Sequence, residues 1–107
     1  MTDKIVVLSS CPSPQEAEQI ARKLVEERLA ACVSIVGGVR SIYRWQGKVE
    51  DAGECLLVIK TSRALFGELR LALEHAHSYD VPEVLALQVV DGAANYLAWL
   101  DDQLRID

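Results

Sequence analysis

No apolar run in this 107-residue chain approaches the ~20 residues that a membrane-spanning helix needs. The start, Met1-Thr2-Asp3-Lys4, lacks the basic stretch, long apolar stretch and small-residue cleavage site of a secretory leader, so none is expected. Basic residues are scattered and the net charge is −5. A nucleic-acid partner needs a clustered basic face, so none is expected. The three cysteines, Cys11, Cys32 and Cys55, are odd in number and lack C-x-x-C spacing. They read as reduced thiols of a cytoplasmic protein rather than a disulfide framework. Cys32 and Cys55 sit in apolar runs as small buried residues, whereas Cys11, between a strand and a proline, is the one expected to be exposed. Linkers, low-complexity tracts and repeats are missing, as are G-x-G-x-x-G, a P-loop, H-E-x-x-H and G-x-S-x-G. With no marked nucleophile or cofactor loop, the chain reads as non-enzymatic.

What is present is one α+β domain spanning residues 1–107, long enough for a single core. Lys4 to Ser9 contains Ile5-Val6-Val7-Leu8, apolar on both faces as in a central strand. Ser13, Pro14 and Glu16 give a helix cap, a first-turn proline and a capping box. The helical spacing of Ala17, Ile20, Ala21, Leu24 and Val25 then predicts a helix to about Ala31. From Val33 the period becomes two, with Val33, Ile35, Val39, Tyr43 and Trp45 on one side of a long edge strand and Gly37-Gly38 marking a bulge. Turn chemistry at Gln46-Gly47 and Asp51-Ala52-Gly53 reverses the chain. Cys55 to Ile59 returns as a second doubly apolar strand, ending at Lys60-Thr61. Ser62 caps a second helix closed by His75 and His77, a fourth strand covers Val84 to Val90, and Tyr96, Trp99, Leu100 and Leu104 mark a C-terminal amphipathic helix.

The order βαββαβ plus a final helix predicts a ferredoxin-like fold with a four-stranded antiparallel sheet. Its first and third strands lie in the middle. Helices cover one face of such a sheet, yet both inner strands are apolar on two faces, so a second copy of the chain is expected to cover the other.

The densest chemistry is His77-Ser78-Tyr79-Asp80-Val81-Pro82-Glu83, which places an imidazole, a phenol and two carboxylates on one proline-stiffened loop at a strand entrance. His77 and Glu83 are candidate metal ligands, a pair that suits copper or zinc better than calcium or magnesium. His77 also reads simply as a cation at a helix C-terminus. Tyr43, Trp45, Tyr96 and Trp99 read first as packing or subunit anchors, and Glu54 and Lys60 bracket the third strand.

Leu29-Ala30-Ala31-Cys32, Ser41 to Lys48, Ile59-Lys60-Thr61, His77 to Glu83 and Tyr96 to Leu100, in this order and spacing, closely resemble the CutA divalent-cation tolerance family. The resemblance implies a homotrimer of ferredoxin-like subunits with exchanged hairpins, an architecture like that of the nitrogen-regulatory signalling trimers, and no catalysis. It implies a role in tolerance to divalent metal, copper especially, with metal binding but no metal required for folding. It also implies that Tyr43, Trp45, Glu54, Lys60, His77, Tyr79, Pro82, Glu83, Tyr96 and Trp99 line clefts between subunits. Ser78, Gly37-Gly38 and Ser9 depart from the family, which usually has proline at the first, often carries proline in the segment of the second and in some members has cysteine at the third. The alternative is a scaffold trimer whose clefts hold a small anionic ligand.

Overall fold

The computed structural model describes residues 1–106. Strand β1 (Lys4–Cys11) carries the β-branched run, and Ile5, Val7, Ser9 and Cys11 point to one face and are buried. Helix α1 (Pro14–Glu26) starts as its cap signals require. Ser13 is extended, and its Oγ accepts the Glu16 N–H at 3.2 Å. Only half of the capping box forms, because the Glu16 carboxylate leaves for the loop after α2.

The helix stops at Glu26 rather than about Ala31. Arg28 takes the left-handed conformation (φ 59°), and the N–H groups of Leu29 and Ala30 both return to the Leu24 carbonyl. Leu29, Ala30 and Ala31 have good helix propensity, but they are buried in the link between α1 and β2. Thr61 Oγ1 donates to the Leu29 carbonyl at 2.7 Å and fixes them there.

Strands β2 (Cys32–Trp45) and β3 (Lys48–Ser62) form a long hairpin. Gln46 and Gly47 both have positive φ (50° and 80°), the requirement of a two-residue turn whose twist matches the strands. Asp51-Ala52-Gly53 does not turn; it pairs with Ile42, Ser41 and Arg40 inside the ladder. β1 pairs with β3 only as far as Cys11 opposite Cys55, so the distal half of the hairpin is a two-stranded arm. Ile42 and Val49, on that arm, are 67% and 65% exposed.

The bulge falls at Gly37-Gly38, where pairing steps from Val36–Leu56 to Val39–Glu54. One extra residue reverses the pleat. Ser34 and Val36 therefore share a face with Leu56 and Val58, while beyond the bulge Val39, Ser41, Tyr43 and Trp45 join that same face. The expected single odd-numbered stripe is thus split, with Val33 and Ile35 on the helix side and Tyr43 and Trp45 on the opposite one.

Ser62 makes no side-chain cap. A 3-10 turn (Arg63–Leu65) leads into α2 (Phe66–Ala76), and the Arg63 N–H bonds the Asp3 carbonyl. β4 is only Leu85–Gln88, shorter than Val84 to Val90, and α3 spans Ala94–Gln103. Leu100 and Leu104 of the C-terminal segment are buried, while Tyr96 and Trp99 are exposed and stacked on each other. Lys4, almost wholly buried, holds α3 to β1 through Asp101 at 2.5 Å and also pairs with Asp3. Burial alone would lower its pKa, but the two carboxylates raise it above the ordinary lysine value.

The sheet order β2-β3-β1-β4 is that of the ferredoxin-like fold, with β1 and β3 central. The core lies between the sheet and its helices, built on Val7, Leu57 and Ile59 against Ile20, Leu24, Leu69 and Leu73. The other face presents Val6, Leu8, Leu56, Val58, Leu85 and Leu87, and no helix among the described residues buries it.

An acidic, aromatic cleft beside the hairpin arm

The loop from His77 to Glu83 leaves α2 and folds against the end of β1. His77 is not the last helical residue. Its backbone is extended (φ −83°, ψ 144°), and this turns the ring inward while His75 stays exposed. The imidazole is fully buried. Its Nε2 lies 2.7 Å from the Ser10 carbonyl, which can only accept, so that nitrogen carries the proton. Its Nδ1 accepts the Tyr79 N–H at 3.1 Å. Glu16 Oε2 accepts the Ser78 N–H at 3.1 Å and lies 3.4 Å from the same Nδ1. Both ring nitrogens are therefore engaged, and His77 acts as a clasp between the loop and β1.

The clasp aims Tyr79 across β3, where its hydroxyl donates to Glu54 Oε2 at 2.8 Å. Burial first, and then this bond to a carboxylate, pushes the Tyr79 phenol well above the usual tyrosine range, so it stays a donor. Between loop and arm lies a cavity of about 590 Å3, lined by Ser10, Ser41, Ile42, Tyr43, Trp45, Glu54, Tyr79, Asp80, Val81 and Glu83. Glu54, 8% exposed, forms its floor, and the exposed Asp80 and Glu83 stand at its rim. No lysine or arginine is among the lining residues.

Of the residues singled out from sequence, Tyr43, Trp45, Glu54, Tyr79 and Glu83 meet at this cavity, and Pro82 lies in the loop that bounds it. His77 supports it from below and does not line it. Lys60 lies elsewhere on the sheet, its Nζ 2.6 Å from Ser34 Oγ and 3.7 Å from Cys32 Sγ. Tyr96 and Trp99 stay on α3, with ring centroids 5.7 Å apart. No group of three or more His, Cys, Asp or Glu converges on one point among the described residues. Cys11, expected to be exposed, is fully buried, and burial raises its thiol to about 11, which removes it as a reactive group. It pairs in register with the buried Cys55.

Sequence reasoning missed Glu16 and Ser10. Glu16 looked committed to a helix cap, and Ser10 contributes its backbone carbonyl, which no side-chain pattern reveals. Asp80 was visible within the motif but carried no role.

Fold and cleft together define a ferredoxin-like α+β protein with a long hairpin arm and an acidic, aromatic cleft at its root. The profile of a family described as "CutA1 divalent ion tolerance protein" matches residues 5–103. A protein from Thermus thermophilus called "Divalent-cation tolerance protein CutA" is 50% identical over 95 residues, 89% of this chain and 92% of its own. The Arabidopsis thaliana "Protein CutA, chloroplastic" is 44% identical over 101 residues, which is 94% of this chain but 56% of that longer protein. The crystal structure of CutA from Xylella fastidiosa superposes with a TM-score of 0.95 at 41% identity, covering 97% of this chain and 100% of that one. The chain belongs to the CutA1 divalent ion tolerance family. No helix among its described residues is long and apolar enough to cross a membrane.

Proposed function

We propose that this chain contributes to divalent-cation tolerance as a non-enzymatic homotrimer that takes up a divalent ion, copper before zinc, at the rim of the cleft. The observation that carries the reading is the cavity itself, with three acidic residues, Glu54, Asp80 and Glu83, on its walls and no base. Glu83 and Asp80 are exposed, so an ion bound by them keeps water ligands and exchanges readily. Copper exceeds zinc at such a site by the general order of divalent affinities. His77 joins the coordination only by releasing Ser10 or Tyr79, so the carboxylates are the primary ligands and the imidazole positions their loop.

Self-association is supported by the uncovered sheet face and by the arm, which alone exposes too much apolar surface for a stable two-stranded ribbon. A trimer would place the arms against neighbouring sheets and turn each cleft into an intersubunit one, drawing Lys60, Tyr96 and Trp99 to its edges. The three free thiols suit a reducing compartment such as the cytoplasm. A scaffold holding a small anion fits less well, since the cleft's charge would repel it.

The test is a Cu(II) titration of metal-free protein, following His77 by NMR alongside the variant Glu83→Gln. Loss of affinity in the variant, with little change at His77 in the parent, is the expected result. Unchanged affinity in Glu83→Gln rejects the rim site.

A further inference from the structure

We propose that Cys11 and Cys55 form a reversible disulfide across β1 and β3 when the protein meets hydrogen peroxide, a redox switch at the root of the hairpin arm. The switch goes beyond the role in divalent-cation tolerance and does not rest on it.

The first reason is register. Cys11 and Cys55 stand directly opposite each other in the antiparallel ladder. The Arg63 N–H bonds the Asp3 carbonyl at 2.8 Å, and the cysteines lie an even number of steps further along the same strands, so they too form a hydrogen-bonded pair. Such a pair holds its Cα atoms about 5.5 Å apart, inside the ~4.4–6.8 Å that a disulfide spans. The second reason is the side chains. Cys11 Sγ lies 3.8 Å from the Cys55 carbonyl oxygen, so the sulfur leans over its partner residue. After burial, the neighbouring Cys55 is the next influence raising the Cys11 thiol, as two close sulfurs require. Both belong to the core that the chain's own helices bury, so the pair is complete within one chain. Cys32 is set apart from it, opposite Lys60 on the other face of the sheet.

The third reason is position. The β1–β3 ladder ends at this pair, and a ladder end opens locally without unfolding the core. Hydrogen peroxide, little larger than water, then reaches sulfurs that bulky reagents do not. The Cys55 sulfur attacks one peroxide oxygen, the O–O bond breaks, and the other oxygen leaves as water with the Cys55 proton. Cys11, unreactive on its own, is held beside the resulting sulfenic acid at high effective concentration. Its sulfur attacks the sulfenic sulfur, the S–S bond forms, and the hydroxyl leaves as a second water with the Cys11 proton. Two electrons have passed from the two thiols to the peroxide. Cβ atoms directly opposite in a sheet are about 4.5–5.5 Å apart, against roughly 3.5–4.5 Å in a disulfide, so the strands must draw together. A bond under that strain is readily reduced again. Ser10 and Glu54 adjoin the pair and hold His77 and Tyr79, so the same movement is passed to the loop.

The experiment uses the intact protein as it assembles in solution, with EDTA present so that no metal catalyses oxidation. The parent and Cys32→Ser, which removes the competing thiol, are treated with hydrogen peroxide under native conditions. Remaining thiols are alkylated in denaturant, and peptides are mapped without reductant. Cys32→Ser is expected to lose both thiols and two hydrogen atoms in mass, and both proteins are expected to yield a peptide pair linked through Cys11 and Cys55. Glutathione is expected to restore both thiols, and the amide signals of Ser78 to Asp80 to move between the two states. Cys11→Ala is expected to leave Cys55 to oxidise onward to its sulfinic acid without a link. Both thiols still alkylated after peroxide, or a linked pair formed only when urea is present, overturns the proposal. A link that glutathione leaves intact rejects the switch. The peptide map of the parent protein stands even if a variant fails to fold.

Discussion

Replacing His77 by phenylalanine separates the clasp from the space it fills. The phenyl ring leaves no cavity in the imidazole's place, and its larger volume can only add an overpacking cost to the polar loss. What disappears is polar. The buried Ser10 carbonyl loses its donor at 2.7 Å, and the Tyr79 N–H loses its acceptor at 3.1 Å. A buried group left unsatisfied costs about 1–3 kcal/mol, and a lost bond at a partly wet site about 0.5–1.5 kcal/mol. The sum is roughly 1.5–4.5 kcal/mol, a large share of the stability of a domain of this size. Urea unfolding at a fixed protein concentration measures it, since the self-association proposed above would make the midpoint depend on concentration. With a denaturant slope of about 1–3 kcal/mol per molar, the midpoint should fall by roughly a molar or more. The released loop should also loosen Tyr79 from Glu54, visible as faster amide exchange from Ser78 to Asp80. A variant within about 0.5 kcal/mol of the parent, with exchange unchanged, would refute the clasp, because surface substitutions commonly fall in that range.

Leu57, wholly buried in β3, should lose about 2.7–5 kcal/mol on truncation to alanine, read from the same unfolding curves; a smaller loss would mean the core closes over the gap. Alkaline stability follows from Cys11, whose folded value of about 11 exceeds its ordinary 9.0. Between those limits the unfolded chain holds fewer protons, so stability is complete below pH 9 and falls as pH rises, by up to about 1.4 kcal/mol per unit. Tyr79 adds to the loss above pH 10, and Cys11→Ala should flatten the curve between 9 and 11. Thiol labelling of the native protein should modify Cys32 first and reach Cys11 and Cys55 only on unfolding; early modification of Cys11 would contradict its burial. Sedimentation should give about three times the 11.8 kDa chain mass, and Val58→Asp on the open sheet face should abolish the trimer, whereas a parent monomer at all concentrations rejects it.

Much of the fold is legible because its signals are local. Ile5 to Leu8 and Leu56 to Ile59 are β-branched or leucine-rich runs with nowhere to put a wet face, so they had to be central. Ser13-Pro14 and Gln46-Gly47 are stereochemical requirements written as residues. Arg28 is the opposite case: its left-handed conformation ends α1 without the glycine that usually announces such an end, so Leu29 to Ala31 read as more helix. Asp51-Ala52-Gly53 has turn chemistry but is held straight by its partners on β2, a tertiary override of local preference. Cys11 sits beside a proline, yet it is buried because β1 runs two residues beyond Ser9, the end its β-branched core suggests. The cleft was half visible. Glu83 and Tyr79 stand out in the loop motif for their side-chain chemistry, Tyr43, Trp45 and Glu54 enter a cleft only through the family resemblance, and the Ser10 carbonyl and the redirected Glu16 depend on packing that only the folded chain defines.

The extra residue at Gly37-Gly38 makes the aromatic wall of the cleft a matter of counting. Straightening the bulge without removing a residue would pair Gly38 with Glu54 and leave the root of β2 unmoved, yet it would swing the Tyr43 and Trp45 side chains to the far side of the arm and bring Arg40, Ile42 and Arg44 round in their place. Two guanidinium groups would then face a chamber now lined by acids. A one-residue slip at a glycine pair would thus change the charge of the cleft wall more completely than substituting any single residue on it, whereas deleting one of the two glycines would leave that wall in place.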